Sequence, residues 1–215
     1  MINFIKLAPM QDQLDAHIRK KQGLEGQDLL LNTIFALQVE VAELANEVRF
    51  FKHWSKDQEP RTAQYYFKDA YGRWDPVSEK YWRMTYGDPE DKDLEGERWK
   101  VRNPVLVEYV DCLHFLLSIG NQAQVDWSEI TAKNNSGMDM QECFGYLMIL
   151  ISNMWTYKKH PIFDPDIDMH IRHCLSDAVS ILWQIAQLLN FTAEDIEAAY
   201  LAKHEVNYER QAKGY

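Results

Sequence analysis

Three cysteines in 215 residues, Cys112, Cys143 and Cys174, are too few and too widely spaced for a disulfide framework, and no C-x-x-C pair exists to hold zinc. Each lies in a mainly apolar helical run and reads as a packed thiol, which fits a reducing cytoplasm. There is no G-x-x-x-x-G-K-[ST], which excludes a P-loop mechanism, and no His-Asp dipeptide, which counts against a phosphohydrolase built on that pair. No apolar run approaches the roughly 20 residues of a membrane span. The first ten residues lack the apolar stretch and cleavage site of a signal peptide. A soluble cytoplasmic protein with no membrane partner is expected. Basic residues are also in short supply: 23 Lys and Arg face 33 Asp and Glu, for a net charge of -10. That balance repels phosphate backbones and disfavours a nucleic-acid partner. An anionic nucleotide can still bind where metal ions mediate the contact.

What is present is helical periodicity nearly throughout, with no convincing alternating run that would predict a strand. A first helix is expected from Pro9 to Lys21, stopped by Gly23 and Gly26, and a long one from about Asp28 to Trp54. Pro104 marks the start of a helix to about Ala123, and Asp126-x-x-Glu129 reads as the capping box of a short one. Further helices are expected over about Asp139–Lys159 and Asp166–Leu189, with Pro161 and Pro165 in the turn between them. Thr192 with Asp195 caps the last. The prediction is one all-α domain over residues 1–215, a helical bundle interrupted by a large insertion at about 56–103. That insertion carries nine aromatic rings amid mixed charge, too many for a disordered segment. It suits a subdomain packed on the bundle, a lid, a dimer contact or a face for a protein partner.

Charge is sparse in two of these helices, and its placement is informative. Over Leu29–Ala45 only Glu40 and Glu43 are charged, and over Val105–Ile119 only Glu108 and Asp111. The surrounding positions are apolar on nearly every side, which predicts helices buried on most faces. Each pair is three residues apart and shares one helix face. Four ionised carboxylates inside a bundle are costly unless compensated, and divalent cations compensate them directly. An all-oxygen set selects magnesium or manganese over zinc. The bland alternative is that each pair lies on a narrow solvated stripe; the spacing alone leaves both readings open. His170 and His173 also share a helix face but lack further ligands, and read as surface residues.

Four blocks resemble the dimeric dUTPases. ALQVEVAELANEVRFFKHWS is similar to their E-x-x-E helix, and VEYVDCLHFLLSIG to their E-x-x-D helix with its trailing His-Phe. QDQLD at Gln11–Asp15 resembles their N-terminal Q-x-x-L-D, and YLAKHEVNYERQAKGY their K-x-x-x-N-x-x-R-Q ending. The insertion departs from the family pattern, in which the two acidic pairs are joined by a short connection.

The resemblance implies an all-helical homodimer that hydrolyses dUTP, and often dUDP, to dUMP. This removes dUTP from the nucleotide pool and supplies a dTMP precursor. It implies that Glu40, Glu43, Glu108 and Asp111 hold magnesium ions bridging the phosphates. Such ions acidify water and a carboxylate takes its proton, with Glu40 placed ahead of Glu43 in that role. By the same resemblance Phe115 stacks on uracil, His114 lies by the deoxyribose or base, and Gln11 and Trp54 recognise the base. Asn32 is added because an amide matches the uracil edge. Lys203, Asn207 and Arg210, at i, i+4 and i+7 on one helix face, take the phosphate, and Arg49 or Lys52 either contacts phosphate as well or pairs with neighbouring acids. Two alternatives stand beside this: a related pyrophosphatase acting on dCTP or another nucleotide, and a non-catalytic helical interaction protein.

Overall fold

The computed structural model describes residues 2–78, 80, 82, 99–132, 137–160 and 167–214. The turn expected at Pro161 and Pro165, the helix start at Asp166 and two of the nine insertion rings, Tyr81 and Tyr86, lie outside them. The fold is all-α, and the chain order among the described residues is α1 (Phe4–Gln22), α2 (Leu30–Val48), β1 (Gln64–Lys68), β2 (Trp74–Val77), β3 (Trp99–Arg102), α3 (Pro104–Gln122), α4 (Met140–Lys159), α5 (Ile167–Leu188) and α6 (Ala193–Ala212).

Local chemistry sets most of the helix ends. Helix α1 starts at Phe4 rather than at Pro9, because the Asn3 side chain accepts from Lys6 N and Phe4, Leu7, Ala8, Gln11 and Leu14 bury one face. It stops where Gly23 turns to a φ of 66°, a conformation glycine adopts freely. Asn103 caps α3, with Pro104 in its first turn. Asp139 with Glu142, and Thr192 with Asp195, form full capping boxes on α4 and α6. Asp126 starts only a turn, in which its carboxylate accepts from the amide and hydroxyl of Ser128.

Helix α3 is the central element, packed against α1, α2, α5 and α6, while α4 closes the bundle against α2 and α5. One apolar cluster runs through these helices, with Leu37, Leu44, Leu113, Leu117 and Leu182 among its members. Each fully buried Leu contributes about 2 kcal/mol of transfer free energy. Gly120 on α3 permits the tightest approach: a Cβ there would lie 2.2 Å from the Trp127 ring and 3.0 Å from Leu175. The Trp127 ring is anchored by its Nε1 donating to Asn121 Oδ1 at 2.9 Å and by stacking on Phe4.

Helix α2 corrects two expectations. It buries only one seam, Leu30, Ile34, Leu37, Val41, Leu44 and Val48, and leaves Phe35 and Val39 facing outward. It also ends at Val48, six residues before Trp54, because Arg49 takes a φ of 69° and its amide bonds back to Ala45 O.

The insertion corrects a third. It contains an antiparallel sheet of order β2-β1-β3, which the sequence reading did not foresee. The strands are rich in Tyr, Trp, Phe and Val, residues that fit a pleated surface. Their alternation was hidden because both faces carry aromatic rings, so no apolar-polar rhythm marks them. Tyr65 is buried against Trp82 on one face. Pro76 is tolerated in β2 because that strand ends the order. Arg61 stitches the sheet to the bundle: its amide donates to Glu47 O at the end of α2, and its carbonyl accepts from Val105 N at the start of α3.

Candidate functional site

Helices α2 and α3 bring Glu40 together with Glu108 and Asp111. One carboxylate oxygen from each lies within 4.8 Å of the others, and all three side chains are half-buried. Glu43, one turn along α2, is exposed and outside this group of three, yet its charge reaches all of them. Burial is the first cause that pushes the carboxyls of Glu40 and Glu108 up to about 7, and repulsion from the neighbouring acids is the second. Asp111 is likewise raised by burial, with Lys203 opposing the shift.

A cluster of this kind lacks positive charge. Oxygen-only donors, close spacing and partial burial fit a hard divalent cation held by Glu40, Glu108 and Asp111, with Glu43 beside them. What the protein itself supplies is Lys203, whose Nζ donates to Asp111 Oδ2 at 2.5 Å from α6. Arg210, two turns further along α6, contributes at longer range to Asp111. A cavity of about 480 Å³ lies over this end of the bundle, lined by Arg102, Asn103, Glu108, Lys203 and Arg210. Asn207 is half-buried between Lys203 and Arg210 on the same helix.

One turn beyond Asp111, His114 is buried in a polar network. Its Nδ1 lies 2.6 Å from Gln11 Oε1, which also accepts from the Tyr200 hydroxyl at 3.0 Å. Gln11 Nε2 donates to Asp15 Oδ1 at 2.7 Å. Because that Gln11 oxygen is an acceptor, His114 carries its proton on Nδ1 and leaves Nε2, buried and unpartnered, as an acceptor. Burial and the nearby His204 and Lys203 hold the imidazole down at about 3, so it stays neutral. The ring stacks on Tyr200 with centroids 4.1 Å apart. Gln11 thus sits beside His114, with both ends of its amide committed to protein groups. Tyr200 was missed; its position three residues before Lys203, on the same helix face, was the available signal. Phe115 follows on α3, half-buried against the apolar cluster.

Four of the expected contacts are not brought to this centre. Arg49 is buried where α2 ends, its guanidinium bound to Asp57 O at 2.7 and 3.1 Å and to the Asp57 carboxylate at 3.2 Å, so it closes a loop instead of facing a phosphate. Lys52 donates to the carbonyl and side chain of Asn46. Trp54 is 68% exposed and packs edge-on against Phe51 and His53. Asn32 is exposed near the start of α2, eight residues and about 12 Å of helix from Glu40. The early end of α2 explains three of these: the chain turns away after Val48, and the face shared with Glu40 is lost. His173 is exposed on α5 as expected, while His170 is half-buried and stacks on Tyr157 of α4.

A family model described as dUTPase matches residues 3–67 and 92–215, which takes in every residue of this centre. The unmatched stretch, 68–91, is narrower than the insertion expected at 56–103. No curated protein matches the chain. Among the described residues no helix is long and apolar enough to cross a membrane.

Proposed function

The chain belongs to the dimeric all-α dUTPase family, and from that premise we propose that it hydrolyses dUTP to dUMP and pyrophosphate with magnesium, and accepts dUDP as well. The observation that supports this most is the meeting of Glu40, Glu108 and Asp111 within 4.8 Å of one another, beside Lys203. Divalent cations bound there would offset the phosphate charge and make water easier to deprotonate.

The protein's own groups account for the rest. Water adds to the α-phosphorus, the bond to the α,β-bridging oxygen breaks, and pyrophosphate leaves with the electron pair. Glu40 is the carboxylate that takes the water's proton. Lys203, Asn207 and Arg210 bind the phosphates. His114 and Phe115 hold the deoxyuridine one to two turns along α3, with neutral His114 offering Nε2 as an acceptor. Gln11 acts through His114 by fixing its tautomer.

A homodimer is part of this reading. It is supported by an exposed apolar face on the adjacent helices α2 and α4, where Phe35 is 61% exposed and Ile149 55%, with Val39 and Tyr146 beside them. Gln38 and Ser152 join the two helices across this face.

The test is pyrophosphate release with magnesium across dUTP, UTP, dCTP and dUDP. Turnover of dUTP far above UTP and dCTP is expected. Equal turnover of dUTP and UTP would defeat the assignment. No turnover of any nucleotide, with Glu43→Ala and Asp111→Ala silent in every assay, would leave a helical interaction protein.

A further inference from the structure

The sheet brings a cation to the metal centre that no motif marked. Residues 64, 66 and 68 of β1 share a face with Trp74 and Pro76 of β2 and with Lys100 and Arg102 of β3, through the pairs Tyr66↔Lys100 and Gln64↔Arg102. This face holds Lys68, Lys100 and Arg102 with no acid among its described residues. The two lysines lie over the Trp74 ring, Lys100 at 4.0 Å and Lys68 at 5.6 Å. Arg102, at the end nearest the bundle, has its guanidinium 5.7 Å from the Tyr66 centroid, is exposed, and has no carboxylate partner among the described residues.

Two cavities meet at that end. One, of about 480 Å³, runs past Lys203 and Arg210; the other, of about 270 Å³, is lined by Glu47, Arg61, Gln64 and Tyr66. Arg102 and Glu108 line both. In the second cavity Arg61 is already paired with Glu47 at 3.4 Å, so of its two guanidinium groups Arg102 is the one with no paired carboxylate among the described residues.

Order along the chain gives this charge a direction. Arg102 comes first, then Glu108 and Asp111 of the metal centre, then His114 and Phe115, at about 1.5 Å per helical residue. A nucleotide with its base by Phe115 and its α-phosphate at the acidic cluster extends its terminal phosphates toward the N-terminal end of α3. We propose that Arg102 of β3 is a phosphate-binding residue of the nucleotide site, holding the β- and γ-phosphates and hence the departing pyrophosphate. This rests on the nucleotide-hydrolase reading and adds to it a role for the sheet. A planar guanidinium offers paired donors that suit a phosphate, and a ring beside it limits its freedom.

The experiment is calorimetric binding of inorganic pyrophosphate and of dUMP, each with magnesium, to the wild type, Arg102→Ala, Arg102→Lys and Lys68→Ala, alongside dUTP kinetics. Arg102→Ala is expected to weaken pyrophosphate and to raise the KM for dUTP by about tenfold, with dUMP affinity held within twofold. Arg102→Lys recovers part of the loss. Lys68→Ala, on the same face but away from the cavities, matches the wild type. Pyrophosphate affinity of Arg102→Ala within twofold of the wild type overturns the proposal, and so does an equal loss of dUMP affinity. Pyrophosphate binding that depends on Arg102 in a protein that does not turn over dUTP keeps this assignment and removes the dUTP reading. A wild type that binds no pyrophosphate removes Arg102's role whatever its turnover.

Discussion

Lys203 Nζ sits 2.5 Å from Asp111 Oδ2, so one of the three clustered carboxylates is already paired with a cation from α6. The same ammonium lines the cavity over the site. Lys203 therefore links the acidic cluster to the phosphate end: cations on the acids would release it toward a phosphate.

Replacing Lys203 by Ala is expected to lower kcat/KM for dUTP by roughly 100-fold, about 2.7 kcal/mol of transition-state stabilisation. Circular dichroism should show the helical fold intact. A change within threefold would make the pair with Asp111 a purely structural contact.

Glu40→Gln removes the proposed proton acceptor and a proposed cation ligand together. Activity should fall by at least about 1000-fold. The metal-free variant should nonetheless melt a few degrees higher than the wild type, since a relief of about 1 kcal/mol moves Tm by roughly 2–4 °C at this size. A lower Tm without metal would mean that the acids do not repel one another.

The pH dependence of the metal-free protein follows from the same carboxyls. Glu40 and Glu108 titrate near 7 when folded and near 4.5 when unfolded, so the folded state binds more protons between those values. Their contribution to stability is constant below about 4.5, falls as pH rises to about 7, and stays lost above it. His114, held at about 3, acts in the opposite sense below its ordinary 6.5, but it is one group against two. The Tm gap between Glu40→Gln and the wild type should widen from pH 5 to pH 8 without metal and shrink when magnesium is added. A gap independent of pH would contradict the raised carboxyls.

His114 should remain a neutral Nδ1–H tautomer from pH 5 to 9, observable by nitrogen NMR of the ring. Gln11→Ala removes the acceptor that fixes this tautomer and should raise KM for dUTP more than it lowers kcat. A His114 resonance titrating near 6.5 would show that the ring is hydrated rather than locked against Tyr200.

Ile149→Lys places a charge on the exposed face of α4, a helix that carries none of the clustered acids. Sedimentation should shift from dimer to monomer while the metal-free melting profile changes little. An unaltered dimer would place the interface elsewhere.

Much of this was legible in the chain. The helix periodicity, the start at Pro104, the cap at Thr192 and the i, i+3 acidic pairs are local patterns, and they indicated the all-α class and nominated Glu40, Glu43, Glu108 and Asp111, of which Glu40, Glu108 and Asp111 meet. The Lys203–Asn207–Arg210 face followed from the same spacing. What local pattern could not settle was where chains cross and turn. The positive φ at Arg49 ends α2 and carries Lys52 and Trp54 away from the site that a longer helix and the family resemblance assigned them. The sheet was invisible because rings on both faces erased its alternation, and with it went any sign that Arg102 lines the same cavities as Glu108. Gln11, Asp15, Tyr200 and His114 lie up to 189 positions apart yet share one hydrogen-bonded network, which only the packing of α1 and α6 on α3 brings about.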